Sequence, residues 1–171
     1  MNTTQSTQHT LPATDRQVPA GIGAYSIKAY KSMLTDTGLR DTAKLYRGAT
    51  LVGSVNGDDF GGQTYLRPES MDEHALFVNA CGDETEEDVL NALMLNALAA
   101  QEMNKVLRKG KLLFVRAGEA VTEPRTINLP MSKTTLSDIK TMLAKEEFQT
   151  GLAKKFGAGS RFWDSQVWVN M

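Results

Sequence analysis

Apolar and polar residues alternate along residues 25–67, and this period of two is typical of β-strands with one buried face. Turn-forming residues divide the pattern, because Asp and Gly follow the first strand and Arg47-Gly48-Ala49 can close a short hairpin. Strands are predicted over residues 25–31, 42–47, 50–56 and 63–67. Together they make an antiparallel meander with a loop, residues 56–62, at its far end.

The alternation also assigns side chains to the two faces of this sheet. In the first strand it places on one face Tyr25, Ile27 and Ala29, and on the other Ser26, Lys28 and Tyr30. In the second strand it places on one face Ala43, Leu45 and Arg47, and on the other Thr42, Lys44 and Tyr46.

A period of three and four residues predicts a long helix between a cap at Asp83 or Thr85 and a terminating Gly110. It covers about 25 residues and about 37 Å. A short helix is predicted over residues 69–80, and another from Ser132 or Thr134 to about Phe148. Later strands are predicted over residues 111–116, 125–130 and 161–170, of which the first two pair.

These elements predict the α+β class. An antiparallel sheet, made of the meander and the later strands, is packed on one face by the long helix and by the second, shorter helix. Residues 1–23 are rich in Thr and Gln and are predicted to be a flexible tail. Residues 24–171 are predicted to form a single domain.

Composition narrows the class of protein. The chain has 171 residues, of which 41% are hydrophobic and 23% charged, with a net charge of −1, as is ordinary for globular proteins. The single cysteine, Cys81, excludes an internal disulfide and a Cys-rich zinc site. This use of cysteine indicates an intracellular, cytoplasmic protein. No run of residues approaches the roughly 20 apolar residues of a membrane span, so we expect no membrane partner.

The loop at residues 56–62, Asn-Gly-Asp-Asp-Phe-Gly-Gly, admits three interpretations. Its two carboxylates suit Mg²⁺ or Ca²⁺, its Asn-Gly and Gly-Gly pairs are ordinary turn residues, and its glycines allow another backbone to approach. The turn outweighs the metal, because the spacing does not match a calcium loop and adjacent Asp side chains in extended backbone point to opposite sides. As a functional element the loop is predicted to bind a partner, through Asn56, Asp58, Asp59, Phe60, Gly61 and Gly62.

Catalytic chemistry finds little support in the sequence. His9 lies in the predicted tail, and His74 lies in a short helix as a partly exposed surface residue. The acidic run after Cys81 would raise its thiol pKa and disfavour a nucleophile. Asp138-Ile-Lys140 has the acidic-x-Lys spacing of metal-dependent nucleases but lies in a predicted helix rather than a strand. We predict no catalytic residue, no metal site and no cofactor.

Basic and aromatic residues are interleaved on the predicted meander, as in sheets that bind single-stranded nucleic acid. The alternative is an ordinary solvated face, and Asp36, Asp41, Asp58 and Asp59 dilute the positive charge. Candidate nucleic-acid-binding residues are Lys28, Lys31, Tyr46, Arg47, Tyr65 and Arg67.

Three segments, Tyr30-Lys-Ser-Met, Ala43-Lys-Leu-Tyr and the run from Val52 to Gly62, carry a resemblance. The chain resembles small uncharacterised accessory proteins of bacteria, phages and plasmids, in which a strand pair leads into Gly-x-Val-x-Asn-Asp-Gly-x-Gly-Gly. It departs from that pattern by reading Asn-Gly-Asp-Asp-Phe. The resemblance implies a protein that binds host machinery, including defence complexes such as CRISPR-Cas.

Two functional hypotheses follow. The first is a non-enzymatic interaction protein, an inhibitor or accessory factor of a mobile element that binds a host protein or a protein–nucleic-acid complex. The second is a protein that binds nucleic acid through its sheet. A metal-dependent hydrolase using Asp58 and Asp59 ranks third, and the sequence leaves the oligomeric state open.

Overall fold

The structure is a computed structural model, and it describes residues 20–36, 38–58, 62–121, 124–129 and 135–171. A 3₁₀ helix, Ala20–Ala24, precedes the first strand. Within the described residues the strands are β1 (Tyr25–Thr35), β2 (Gly38–Arg47), β3 (Thr50–Asp58), β4 (Gly62–Pro68), β5 (Lys111–Val115), β6 (Arg125–Asn128), β7 (Arg161–Trp163) and β8 (Trp168–Asn170). The helices are α1 (Met71–Cys81), α2 (Glu86–Arg108), α3 (Leu136–Leu143) and α4 (Glu146–Phe156).

The chain divides into two compact units, and the boundary falls inside α2 between Leu98 and Ala99. The prediction of a single domain over residues 24–171 is not tested by this division and stays a prediction. The predicted tail falls mainly on residues 1–19, outside the described residues. At its end Ile22, in the 3₁₀ helix, is buried in the core of the first unit.

The first unit contains the predicted meander, an antiparallel sheet in the order β1-β2-β3-β4. One face, here called the inner face, packs against the first half of α2 and against α1. Its buried core comprises Tyr25, Ala43, Leu45, Val52, Val55 and Leu66 from the sheet and Phe77, Val89, Leu90, Leu93 and Met94 from the helices. The α+β class and the packing of the meander on the long helix are confirmed.

Helix α2 forms as its sequence predicts. The hydroxyl of Thr85 accepts a hydrogen bond from the Asp88 backbone N–H at 3.1 Å, which caps the first turn. Three acidic residues occupy that turn, Lys105 and Arg108 occupy the last, and Gly110 follows with φ of 72°. Acidic residues in the first turn and basic residues in the last turn interact favourably with the helix dipole and stabilise the helix. The position of the acidic run is therefore explained by the structure of α2.

A β-bulge in β1 changes which side chains share a face. Lys28 pairs with Lys44 and Lys31 with Thr42, so Ala29 and Tyr30 together lie opposite the single residue Ala43. Ala29 takes a positive φ of 52°. Tyr30 therefore packs against the inner core, and Lys31 shares a face with Lys28. The simple alternation, which placed Tyr30 beside Lys28, is wrong here because it assumes uninterrupted pairing.

The second unit contains a separate antiparallel sheet in the order β6-β5-β7-β8. The predicted pairing of residues 111–116 with residues 125–130 is confirmed in β5 and β6. The prediction that these later strands extend the meander is wrong. Strand β5 is buried along Leu112–Val115, and it packs in a core that also contains Met103, Leu107, Ile139, Leu143, Leu152, Phe162 and Trp163.

One side chain of α2, Asn104, forms hydrogen bonds with the last hairpin of this unit. Asn104 accepts a hydrogen bond from the indole N–H of Trp163 at 2.9 Å and donates one to the Ser165 carbonyl at 3.1 Å. A polar residue on the apolar stripe of α2 is thereby satisfied. The predicted strand over residues 161–170 is two short strands, β7 and β8, joined at a turn where the Asp164 carboxylate accepts backbone N–H bonds from Gln166 and Val167.

The helix predicted from Ser132 or Thr134 to Phe148 is two helices. Thr135 caps α3 through a reciprocal capping box with Asp138. The chain breaks at Ala144 and Lys145, and α4 then continues to Phe156 with Gly151 inside it. Residues 130–134, where the predicted caps lie, are outside the described residues. Both helices contribute to the core of the second unit.

Candidate nucleic-acid interface

The strand register sorts the charged side chains of the meander onto its two faces. Residues that lie directly opposite each other in neighbouring strands share a face. The face opposite the inner face, here called the outer face, consequently contains five exposed cations, Lys28, Lys31, Arg40, Lys44 and Arg67. Asp41, the acidic residue of β2, lies on the inner face with Ala43 and Leu45.

The outer face is arranged in rows that cross all four strands. One row runs Lys28, Lys44, Ser54, Arg67, and the next runs Lys31, Thr42, Asn56, Tyr65. Neighbouring strands are about 4.8 Å apart, so the first row sets three cations within about 15 Å of sheet width. Positive charge is therefore concentrated in a band across the strands, flanked by a row that contains Tyr65 and one that contains Tyr46.

Two lysines face each other at the centre of this band. Lys28 pairs directly with Lys44 across β1 and β2, and like charges in this position repel. The ammonium of Lys28 lies 4.5 Å from the centroid of the Tyr46 ring, a cation–π contact that offsets part of the repulsion. An anion bound between the two lysines would remove the rest of it.

The bulge contributes to this concentration of charge. If β1 paired regularly after Lys28, Tyr30 would lie on the outer face and Lys31 on the inner face. Because the bulge adds one residue, Tyr30 lies on the inner face and Lys31 on the outer face. A positive φ at a residue other than glycine costs roughly 1–2 kcal/mol. Strain of this kind often accompanies functional surfaces.

Arg47 lies apart from the other candidate cations. It is on the inner face, where its guanidinium donates two hydrogen bonds to the Glu73 carboxylate of α1, at 2.9 and 2.6 Å. The hydrogen bond from Arg47 is the main cause of a lowered pKa at Glu73. A bidentate pair of this kind orients α1 on the sheet, and Arg47 is already neutralised by it.

The predicted partner-binding loop is described only at its two ends. Asn56 lies in β3 on the outer face, directly opposite Tyr65 of β4. Asp58 ends β3 directly opposite Arg40 of β2 and Gly62 of β4, so the register places it in the row of Arg40. Asp59, Phe60 and Gly61 lie outside the described residues. Asn56 thus belongs to the same surface as the cations, which unites part of the predicted loop with the predicted nucleic-acid face.

On the inner face below the loop, acidic groups have structural partners or lie among packed side chains. The Glu87 carboxylate accepts a hydrogen bond from the Thr64 backbone N–H at 3.0 Å, which ties the edge strand β4 to α2. Asp41 lies beside Gly57, with one carboxylate oxygen that is buried and accepts no hydrogen bond from the described residues. Among the described residues there is no group of three or more His, Cys, Asp or Glu placed to hold a metal ion.

Three other residues were considered for catalysis or metal binding, and each has contacts that explain its position structurally. They are His74, Cys81 and Asp138. His74 lies 2.8 Å from the Glu86 carboxylate and links α1 to α2. Its predicted partial exposure is confirmed, since 27% of its side chain is exposed. Cys81 is buried, and burial, with a smaller contribution from Glu86, raises the pKa of its thiol. Asp138 is held in the cap of α3, which lowers its pKa through hydrogen bonds from Thr135.

A second surface feature lies at the end of the β1–β2 hairpin. The last register pair between β2 and β3 is Arg40 with Asp58, so the hairpin extends two pairs beyond β3. Its exposed apolar side chains are Met33, 50% exposed, Leu34, 82%, and Leu39, 41%. Leu34 and Leu39 are directly paired and form a small apolar patch on one side of the tip.

Two cations of the outer face, Arg40 and Lys44, are absent from the candidate residues of the sequence; the alternation places Lys44 on the correct face, whereas Arg40 lies outside the predicted strand. The second strand was predicted to begin at Thr42, but β2 begins at Gly38, and the same alternation that exposes Lys44 also exposes Arg40. Extending the alternation toward the turn at residues 35–38 would have found it.

Comparison with protein-family models, with curated proteins and with solved structures finds no match to this chain. The resemblance to accessory proteins of mobile elements therefore stays a prediction. No helix among the described residues combines the length and apolar character of a membrane span.

Proposed function

We propose that the protein binds nucleic acid through the outer face of the β1–β4 sheet. The observation that carries the proposal is the sorting of five of the six basic residues of these strands onto one exposed face, interleaved with Tyr46 and Tyr65. Cations that neutralise phosphates supply affinity, and exposed aromatic rings supply surfaces for bases.

Local charge separation reconciles this proposal with the net charge of −1. Three acidic residues, Glu86, Glu87 and Asp88, lie in the first turn of α2, where they interact favourably with its dipole, while the outer face is basic. A polyanion responds to the local potential rather than to the net charge of the chain. Composition therefore does not oppose binding at this face.

The test is the affinity of a fluorescently labelled single-stranded oligonucleotide, measured by anisotropy over a series of salt concentrations. We expect the affinity to fall steeply with salt. The double variant Lys44→Gln with Arg67→Gln should bind about tenfold or more weakly, and its log–log salt slope should be shallower by about 0.7 for each phosphate that the variant no longer neutralises.

The matched control is Lys154→Gln with Lys155→Gln, which removes the same charge from the exposed end of α4. It should bind like the unmodified protein. A flat salt response, or equal weakening in the two double variants, contradicts a site on the outer face.

A second candidate function is the binding of a host protein, which the resemblance implies for an inhibitor or accessory factor. The specific observation in its favour is the exposed apolar pair Leu34 and Leu39 at the tip of the β1–β2 hairpin, since exposed apolar patches mark protein-binding surfaces.

Affinity purification from a bacterial host lysate with mass spectrometry tests this second candidate. The unmodified protein should capture a discrete complex, and Leu34→Glu with Leu39→Glu should lose it. Val167→Glu, at another exposed apolar residue of the second unit, is the control that should retain it. Purifications that return only the protein itself would remove this candidate.

A further inference from the structure

The two tyrosines of the outer face differ in what surrounds them. Tyr46 is partly buried, and Lys28 lies over its ring at 4.5 Å. Tyr65 lies on the edge strand β4 and is 51% exposed. An aromatic ring can accept a nucleic-acid base only if a ring face is accessible, so Tyr65 is the better placed of the two.

An amide side chain lies beside this ring. Asn56 is the residue directly opposite Tyr65 across β3 and β4, and the Cβ atoms of such pairs are about 4.5–5.5 Å apart. Its amide offers two donor hydrogens and an acceptor oxygen. A base stacked on Tyr65 would present its edge within reach of these groups.

Arg67 completes the arrangement. It follows Tyr65 by two residues in β4, on the same face and about 7 Å along the strand. A guanidinium at that distance can hold the phosphate of the nucleotide whose base is stacked. Stacking surface, edge-reading amide and phosphate ligand therefore lie next to one another.

Resting on the proposed function, we infer that Tyr65 stacks one unpaired base and that Asn56 hydrogen-bonds the edge of that base, so that the ligand is a single strand. In a duplex the base faces are covered by their neighbours and the pairing edges are occupied, and only phosphates and groove edges remain for a flat sheet. The outer face has groups for both phosphate and base, which a single strand presents together.

Four labelled probes test this inference: a thymidine oligonucleotide of about 12 residues, a cytidine and an abasic oligonucleotide of the same length, and the duplex of the thymidine strand. The unmodified protein should bind the thymidine strand most tightly. Tyr65→Ala should weaken that binding about tenfold and leave the abasic strand unchanged, whereas Tyr65→Phe should keep it. Asn56→Ala should reduce the difference in affinity between thymidine and cytidine strands.

Photo-cross-linking of a 5-iodouracil strand gives a second measurement, with the cross-link expected at Tyr65. Tyr65→Phe, which keeps the ring, guards against a loss of binding caused by misfolding. If Tyr65→Ala binds every probe as the unmodified protein does while Lys44→Gln with Arg67→Gln loses binding, the inference is overturned and the proposed function stands. If no probe binds in a salt-dependent way, the proposed function falls, and the inference falls with it.

Discussion

In β2, Leu45 on the inner face is fully buried, and its neighbour Lys44 on the outer face is exposed. The same contrast recurs in β4, where Leu66 is buried between the exposed Tyr65 and Arg67. The inner face receives α1 and α2 and holds its one arginine, Arg47, in an ion pair. The outer face holds five cations, two of them directly opposed.

The difference shows that different factors determine the residue types on the two faces of the sheet. Packing determines the buried residues of the inner face, such as Leu45 and Leu66, because they fill space in the core shared with the helices. Packing does not determine the outer face, and a mixture of charge signs would stabilise it better than like charges placed opposite each other. The proposed binding of a polyanion accounts for the composition of the outer face.

The largest expected effect compares two adjacent residues of β2. Leu45→Ala should lower the free energy of unfolding by about 2–5 kcal/mol, since it removes a fully buried side chain and leaves a cavity. Lys44→Ala should change it by less than about 0.5 kcal/mol. Urea unfolding followed by tryptophan fluorescence or circular dichroism measures both.

The effects of these two substitutions on nucleic-acid affinity should have the opposite ranking to their effects on stability. Lys44→Ala should weaken binding, whereas folded Leu45→Ala should bind normally at a temperature well below its unfolding midpoint. Similar stability losses in the two variants would contradict the assignment of the faces.

The second prediction concerns the close approach of β3 and β4 on the inner side. A Cβ added at Gly53 would meet the carbonyl oxygen of Arg67 and lie 2.8 Å from the Pro68 Cα and 2.9 Å from a Leu66 methyl. Because two of these atoms are backbone, Gly53→Ala should destabilise the protein by about 1–3 kcal/mol.

Gly151→Ala is the matched control for this substitution. Gly151 lies within α4 with nothing within 4 Å of an added Cβ, and alanine favours helix over glycine, so we expect a gain of about 0.5–1 kcal/mol. A Gly53→Ala variant as stable as the unmodified protein would show that β4 lies farther from β3.

Much of this fold could be predicted from local patterns. The meander follows from alternation, and α2 follows from its apolar stripe and from the end signals at Thr85 and Gly110. The partition into two sheets could not be predicted, because β7 and β8 have three residues each, too few to show a period, and their partners are set by distant contacts. The break at Lys145 also lacks a signal, since no glycine or proline marks it and its side chain makes no cap.

The candidate site was predictable in part for the same reason. Lys28, Lys31, Tyr46, Tyr65 and Arg67 were identified as a basic and aromatic set, and the register places all of them on the outer face. Ion pairing of Arg47 with Glu73, 26 residues away, depends on tertiary packing that no local pattern encodes. The bulge at Ala29 was equally hidden, because alanine gives no sign of a positive φ.

The third prediction concerns how the stability contributed by the Arg47–Glu73 ion pair depends on pH. Hydrogen bonding to Arg47 lowers the pKa of Glu73 in the folded protein from its ordinary value of 4.5. The pair therefore contributes stability above that ordinary value, and the contribution is lost as pH falls through the lowered pKa. Because Arg47 is 39% exposed, solvent screens the pair and the effect is modest.

Unfolding midpoints measured between about pH 7 and pH 3 test this dependence. The stability of the unmodified protein should decline toward acid more than that of Glu73→Gln, so the two curves converge at low pH. Glu119 and Asp138, whose pKa values are also lowered, remain in both proteins and leave the difference to Glu73. Parallel curves would mean that Arg47 and Glu73 are not paired in solution.

The smallest expected effect tests the bulge that turns Lys31 outward. Ala29 is exposed and has φ of 52°, a conformation that glycine adopts without strain and that a β-branched residue resists. Ala29→Gly should therefore stabilise the protein by about 0.5 kcal/mol, the relief of strain exceeding the added freedom of the unfolded chain. Ala29→Val should destabilise it by about 1 kcal/mol or more. In a regular strand both signs would be reversed, because valine favours extended backbone and glycine weakens it. Thermal unfolding of the two variants thus distinguishes two arrangements of β1. In the bulged strand Lys28 and Lys31 share a face, whereas in a regular strand Lys28 and Tyr30 would share it.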